Sequence, residues 1–461
     1  MPETIALEQE RARLSAIKDP PTHWLGVLKQ LGPGLIISAA VVGSGELIVT
    51  TKVGAEHGFK LLWFIIFACM IKVFVQIEVG RHALTRGVTT LQAMDAVPGP
   101  RYKVSWMVWI WMLMFVATFF QLAGIIGTIA EVFNLAGSSL STTSWAVLVT
   151  GSCAVLLYIG RYGFIEKAST IMVAIFTICT MVAVFGLIGT PYSIGMGDLA
   201  EGFSFQLPSN FAAAFAAFGI VGVGASELIY YPYWCLEKGY AAFTGPNDGS
   251  AAWEKRARGW LRIMKIDAWI SMVVYTVATI SFYLLGAAVL HGKSLAMTNA
   301  DMVPSLSQLY QESFGRAGLW IFVIGAFVVL YSTVFIATAS NGRLCADILK
   351  LLGVLKIPNE QSRGKVVQIA CVLLPALYLV FFLTISKPLT LVTVGAIAQA
   401  VMLPLLALAA LYFHRKWNIS SLRPSSTWTL LLWISAILMT LVGGYSLSQE
   451  IAGAMKLLGV K

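Results

Sequence analysis

Eleven apolar stretches divide this chain, each close to the roughly 20 residues that cross a bilayer as helix. They run over 33–54, 60–80, 104–132, 143–160, 165–190, 211–235, 266–291, 317–342, 365–385, 388–413 and 427–448. A backbone in lipid must satisfy its own hydrogen bonds, so stretches of this length and spacing are helices. Of the 461 residues, 58% are hydrophobic and 12% are charged; a soluble domain carries roughly 25% charged residues. The expected fold is therefore an all-α membrane protein with 11 transmembrane helices. Connections are short, and no linker marks a second domain. The expected organisation is a cytoplasmic N-terminal tail (1–32), a transmembrane core (33–413) and a final part holding helix 11 and an extracellular C-terminus (414–461). No cleavable signal peptide is read in residues 1–29, which are polar and lack a short apolar core.

Lys and Arg set the orientation. With the N-terminus placed in the cytoplasm, 24 of the 32 basic residues fall on the cytoplasmic side and six on the outer side. That asymmetry is the positive-inside pattern. It puts the C-terminus outside, given an odd number of crossings, and suits a bacterial inner membrane. The same pattern accounts for the net charge of +10 without any nucleic-acid partner. The basic run Lys255–Arg262, in the long 236–265 connection, reads as a solvated face near anionic headgroups. The 292–316 connection reads as an outer polar loop. The six cysteines form no metal or disulfide spacing. No phosphate loop, nucleophile elbow or metal-hydrolase helix is present, so nothing points to an enzyme.

One stretch inside the first segment is at odds with its apolar surroundings: Gly43-Ser44-Gly45-Glu46-Leu47-Ile48. A near copy, Gly224-Ala225-Ser226-Glu227-Leu228-Ile229, lies 181 positions later in the sixth segment. Glycine weakens a helix by about 1 kcal/mol, and a carboxylate at mid-membrane costs about 2.5–3.5 kcal/mol on insertion scales. Segments 1–5 and 6–10 are equal in number. Because five is odd, the second set enters the membrane from the opposite side. The copied stretch thus recurs in inverted topology, in repeats spanning about 33–190 and 211–413. Paired breaks of this kind form the substrate site of secondary transporters.

The chemistry is expected at those breaks. For Glu46 and Glu227 three readings stand: direct contact with a cation, a proton-sharing or helix-capping duty, or an organic amine as the partner. Two carboxylates would neutralise one divalent ion, lowering the cost of a dry site. Gly43, Gly222 and Val223 are candidate carbonyl donors, and Ser44, Ser226 and Gln399 candidate neutral oxygens. Gln399 has interhelical hydrogen bonding as its alternative, as does Gln121 more strongly. Oxygen ligands favour a hard ion such as Mg²⁺ or Mn²⁺ over Fe²⁺ or Zn²⁺. Glu78, Arg81 and Lys72 are expected to snorkel toward the headgroups; pairing with a carboxylate or lining a vestibule is the alternative for Lys72.

At this point the chain resembles the Nramp family of divalent metal transporters. The likeness covers most of residues 30–415. It rests on Leu31-Gly32-Pro33-Gly34, Gly54-Ala55, Leu61-Leu62-Trp63, Gly219-Ile220-Val221-Gly222, Lys265-Ile266-Asp267, and Gln399 with Leu403-Pro404. The resemblance implies a five-plus-five inverted repeat like that of sodium-coupled amino-acid symporters, with broken helices 1 and 6. The departures fall at the site. The family's Asp-Pro-Gly-Asn aligns with Gly43, Ser44, Gly45 and Glu46, and its Met-Pro-His with Ser226, Glu227 and Leu228. Two acidic residues of its third helix align with Gln121 and Gly124. The fold carries over, while the usual transition-metal and proton-coupled chemistry lacks its residues.

The expectation is a monomeric secondary transporter of a small ion or molecule in a lipid bilayer, with a divalent cation as substrate and no resident cofactor. An organic-cation or amino-acid transporter and a non-transporting sensor are the alternatives. Orientation is directly testable. Fluorescent protein fused before residue 1 fluoresces, and alkaline phosphatase fused after Lys461 is active. An inactive phosphatase with a fluorescent C-terminal fusion would reverse the assignment of that end.

Overall fold

The computed structural model describes residues 15–43, 45–206, 218–219, 221–291, 301–416 and 419–457. Among them, nine helices are long and apolar enough to cross a membrane. Seven follow the sequence reading closely: Leu62–Arg86, Trp106–Leu135, Thr142–Ile159, Tyr162–Phe185, Glu360–Ile385, Pro388–Lys416 and Ser426–Leu457, taken below as the second to fifth and ninth to eleventh spans. The seventh span, Ala251–Leu285, continues as a π-helix to His291, and the eighth is Arg316–Leu351. The remaining two of the eleven expected crossings are the interrupted ones. A short antiparallel pairing of Arg101–Tyr102 with Val104–Ser105 interrupts the otherwise helical connectivity. All six cysteines are free thiols.

The first span is helical over Pro33–Val41, leaves the helix at Val42–Gly43, and resumes as a π-helix over Gly45–Thr50 that runs into Thr51–His57. A further helix, Trp24–Gln30, precedes it at a 52° bend. The sixth is helical at Phe218, non-helical at Gly219 and Val221–Gly224, and helical again over Ala225–Lys238. Its first half, 211–217, lies outside the described residues. Gly222 has φ +66°, a left-handed conformation that glycine adopts without steric cost.

Two expectations about connections are corrected. The long 236–265 connection is largely helix: Tyr240–Thr244 follows the sixth span, and the seventh starts at Ala251, some fifteen residues before its apolar part. The basic run therefore lies on a helix, where Arg256 donates to Thr244 O at 3.1 Å and Arg258 to Ser421 O at 2.8 Å. The 292–316 connection contains a helix, Met302–Phe314, which buries Met302, Leu306, Leu309 and Tyr310. Its apolar residues recur at helical spacing, a pattern masked in the sequence by the polar residues between them. In the N-terminal tail, Trp260 donates to Lys18 O at 2.9 Å and Tyr240 to Gln30 O at 2.8 Å, so residues 18–30 are tied to the core.

The snorkelling charges are corrected too. Glu78, Arg81 and Lys72 are buried within protein. Glu78 accepts from Trp428 at 3.1 Å, pairs with His414 at 3.1 Å and lies 3.3 Å from Arg81, which joins the second span to the tenth and eleventh. A carboxylate in a bundle interior persists where partners meet it, and Trp428 and His414 lie more than 300 residues away in the chain.

Asp267 sets the entry of the first span. Its carboxylate, on the seventh span, accepts the Gly32 N–H at 2.9 Å, the Gly34 N–H at 2.7 Å and the Tyr231 hydroxyl at 3.2 Å. It thus caps the Pro33–Val41 helix from outside, where an anion suits the positive end of the helix dipole. Replacing Asp267 by Ala orphans both amide donors, at about 1–3 kcal/mol each. The expected result is a lower melting temperature in detergent; unchanged melting would show that the cap contributes nothing.

Candidate functional site

Glu46 is fully buried on the first π-helical turn after the break. One carboxylate oxygen accepts the Gly222 N–H at 3.0 Å and the Thr279 hydroxyl at 3.3 Å; the other accepts the Gly43 N–H at 3.3 Å. A single side chain therefore serves freed amides of both interrupted spans and reaches the seventh. Of the readings open for Glu46, capping describes this geometry.

Glu227 has a different setting. It sits in the first turn of Ala225–Lys238 and lines a small cavity of about 20 Å³ together with Ala40, Val41, Gly45, Gln121, Thr333 and Gln399. A cavity needs about 10–15 Å³ to admit one water, so this space fits one water or one ion. Gln399 Oε1 accepts the Ser226 N–H at 3.0 Å, and its amide donates to Gln121 Oε1 at 2.9 Å. Gln399 is thus both an interhelical link and a wall of the cavity, and it satisfies a free amide at the start of the sixth span's second helix.

Two glycines make the approach possible. A Cβ on Gly224 would lie 2.5 Å from Gln399 Oε1 and 2.6 Å from Glu227 Oε2. A Cβ on Gly43 would collide with the Thr333 side chain. The Thr333 hydroxyl, on the eighth span, lies 3.1 Å from Ala40 O and 3.4 Å from Val42 O, the carbonyls freed at the first break. On the other face of the sixth-span break, Lys72 reaches in from the second span and donates to Phe218 O and, at 2.7 Å, to Val221 O.

Measured against the sequence reading, Glu227 and Gln399 reach the cavity wall, and Glu46 and Gly43, bonded to each other, are not part of its lining. Gly222 gives its N–H to Glu46, Ser226 gives its N–H to Gln399, and neither they nor Val223 line the cavity. Ser44 lies outside the described residues. Sequence reasoning missed Thr333, Thr279 and the placement of Lys72. The two threonines carry no signal, because isolated hydroxyls are common in membrane helices, where they bond back to the preceding turn. Among the described residues no three His, Cys, Asp or Glu side chains group as a metal site. An ion here would rely on one carboxylate plus amide, hydroxyl and carbonyl oxygens.

Two interrupted spans meeting beside a small chamber, in a bundle of apolar helices, form the arrangement that inverted-repeat secondary transporters build on. The solved structures agree on the fold. A mutant of the Eremococcus coleocola manganese transporter superposes with TM-score 0.72 at 15% identity, covering 95% of this chain and 90% of that one. A nucleobase-cation-symport-1 family transporter, closed around bromovinylhydantoin, gives TM-score 0.60 at 16% identity over 93% and 92%.

The family model "Natural resistance-associated macrophage protein-like" matches residues 34–449. The chain belongs to the Nramp family, and it is a membrane transporter of a metal-ion transporter family, not an enzyme. Among relatives, the divalent metal cation transporter MntH of Deinococcus radiodurans is 23% identical over 433 residues, 93% of this chain and 91% of that protein. MntH of Latilactobacillus sakei is 24% identical over 296 residues, 62% and 59% respectively.

The cavity depends on the missing Cβ at Gly224. Gly224→Ala is expected to push Gln399 and Glu227 apart and to abolish substrate binding while the protein still elutes as a folded species on size exclusion. Wild-type binding in this variant, read by calorimetry with Mn²⁺, would show that the close approach is not needed.

Proposed function

We propose that this protein moves a divalent cation across the membrane by alternating access, with hard ions such as Mg²⁺ and Mn²⁺ favoured. Glu227 is the charged ligand facing the chamber. Gln121, Gln399 and Thr333 offer neutral oxygens, and the carbonyls freed at the first break complete an oxygen-only set. Such ligands suit hard cations. Glu46 supplies the second negative charge of the site from behind the wall, and its bonds to Gly43 and Gly222 hold the two breaks in register while the chamber is closed. The N-terminus is cytoplasmic in this reading.

The observation that carries the proposal is the size and lining of the chamber. About 20 Å³ suits one dehydrated ion, whereas organic solutes occupy pockets of about 300 Å³ or more. The substrates in the relatives' names, divalent metal cations and manganese, support the same class.

The test is uptake into proteoliposomes with a panel of Mg²⁺, Mn²⁺, Fe²⁺ and Zn²⁺ beside a panel of amino acids. Wild type is expected to take up Mg²⁺ or Mn²⁺. Glu227→Gln should lower that uptake by about tenfold or more, corresponding to roughly 1.4 kcal/mol for each factor of ten. Glu46→Gln should lower it as well and also reduce the melting temperature, since the neutral amide is a weaker acceptor for three donors. Unchanged metal uptake in both variants would remove these side chains from the mechanism, and uptake of amino acids alone would replace the substrate class.

A further inference from the structure

The second span carries a fully buried lysine. Lys72 has no exposed surface. Its ammonium donates to the carbonyl oxygens of Phe218 and Val221 at the sixth-span break, and stands 4.5 Å from the centre of the Phe218 ring. A lysine ammonium has three donors and no acceptor; two carbonyls and the face of an aromatic ring satisfy it. Burying such a group costs several kcal/mol unless it is fully partnered. The partners here are carbonyls of the interrupted stretch, Phe218 at its start and Val221 within its non-helical part. The Glu46 and Glu227 carboxylates attract the same charge.

Carbonyls freed at the end of a half-helix are the usual ligands of small coupling cations in broken-helix transporters. In this chain that position is taken by a side chain. We infer that Lys72 is a tethered cation filling a second, monovalent-cation site at the sixth-span break, so that this protein needs no free alkali ion there. The inference rests on the reading of the chain as a transporter, and it adds a site distinct from the chamber at Glu227.

The consequence is a gain of dependence. Shortening Lys72 to Ala removes the ammonium and leaves two bare carbonyls with room for a small cation. Melting in detergent and Mn²⁺ uptake into proteoliposomes are each measured in choline chloride, NaCl, KCl and ethylammonium chloride. Wild type is expected to behave identically in choline and NaCl. Lys72→Ala is expected to melt lower in choline and to lose uptake by about tenfold or more. A small cation, Na⁺, K⁺ or ethylammonium, then restores both saturably, as a ligand that binds only the folded state must. Lys72→Met fills the space without the charge; it is expected to fold, to transport poorly and to gain nothing from any cation.

Three results would overturn the inference: wild-type uptake that requires Na⁺, a Lys72→Ala variant that matches wild type in choline, or a Lys72→Met variant with wild-type uptake. Absence of rescue by all three cations in a folded Lys72→Ala variant would do so as well. The melting series decides this independently of transport. If wild type moves no divalent cation, cation-dependent stabilisation of Lys72→Ala alone still separates the two readings.

Discussion

The carboxylate of Glu46 is the point on which the two interrupted spans depend. A helix that stops inside a bilayer leaves amides and carbonyls that lipid cannot satisfy. Glu46 takes an amide from its own break, Gly43, and one from the other, Gly222. Lys72 takes carbonyls on the opposite side of the second break, and Thr333 lies beside those of the first. With Gln399 on the Ser226 amide, groups freed by the two breaks are met by side chains from four spans. The chamber exists because these partners hold the breaks open.

This arrangement divides labour between two glutamates that look equivalent in the sequence. Glu46 faces inward to backbone amides; Glu227 faces the chamber. The copied stretches are not copied in geometry, because the first resumes as a π-helix at Gly45 and the second as an α-helix at Ala225. The two carboxylates therefore leave their helices differently and meet different partners. An inverted repeat need only conserve the break. What each half does with its freed groups is settled by the spans packed beside it.

Much of the fold was legible because lipid imposes one rule on every span. Seven spans follow their apolar limits, and both breaks fall at the glycine–glutamate stretches. Sequence and structure differ where a polar stretch reads as a loop. Lys255–Arg262 and Met302–Phe314 are helical because amphipathic helices carry charge on one side, and charge count alone cannot tell them from a connection. Snorkelling, the expectation for Glu78 and Arg81 and the first of the readings open for Lys72, is the local solution for a charge, and a partner far away in the chain leaves no local mark.

The sequence alone determined that the chain crosses the membrane many times, that its two halves are inverted, and that carboxylates stand beside two breaks. Each follows from composition, count and spacing along the chain. Only the tertiary structure decided that Glu227 and Gln399 share a wall, that Glu46 acts as a brace, and that Lys72 ends at a broken helix. Those outcomes depend on hydrogen-bond distances between spans far apart in order. They are fixed by helix packing around Gly43 and Gly224, where a missing Cβ lets polar groups meet, and by the left-handed backbone at Gly222.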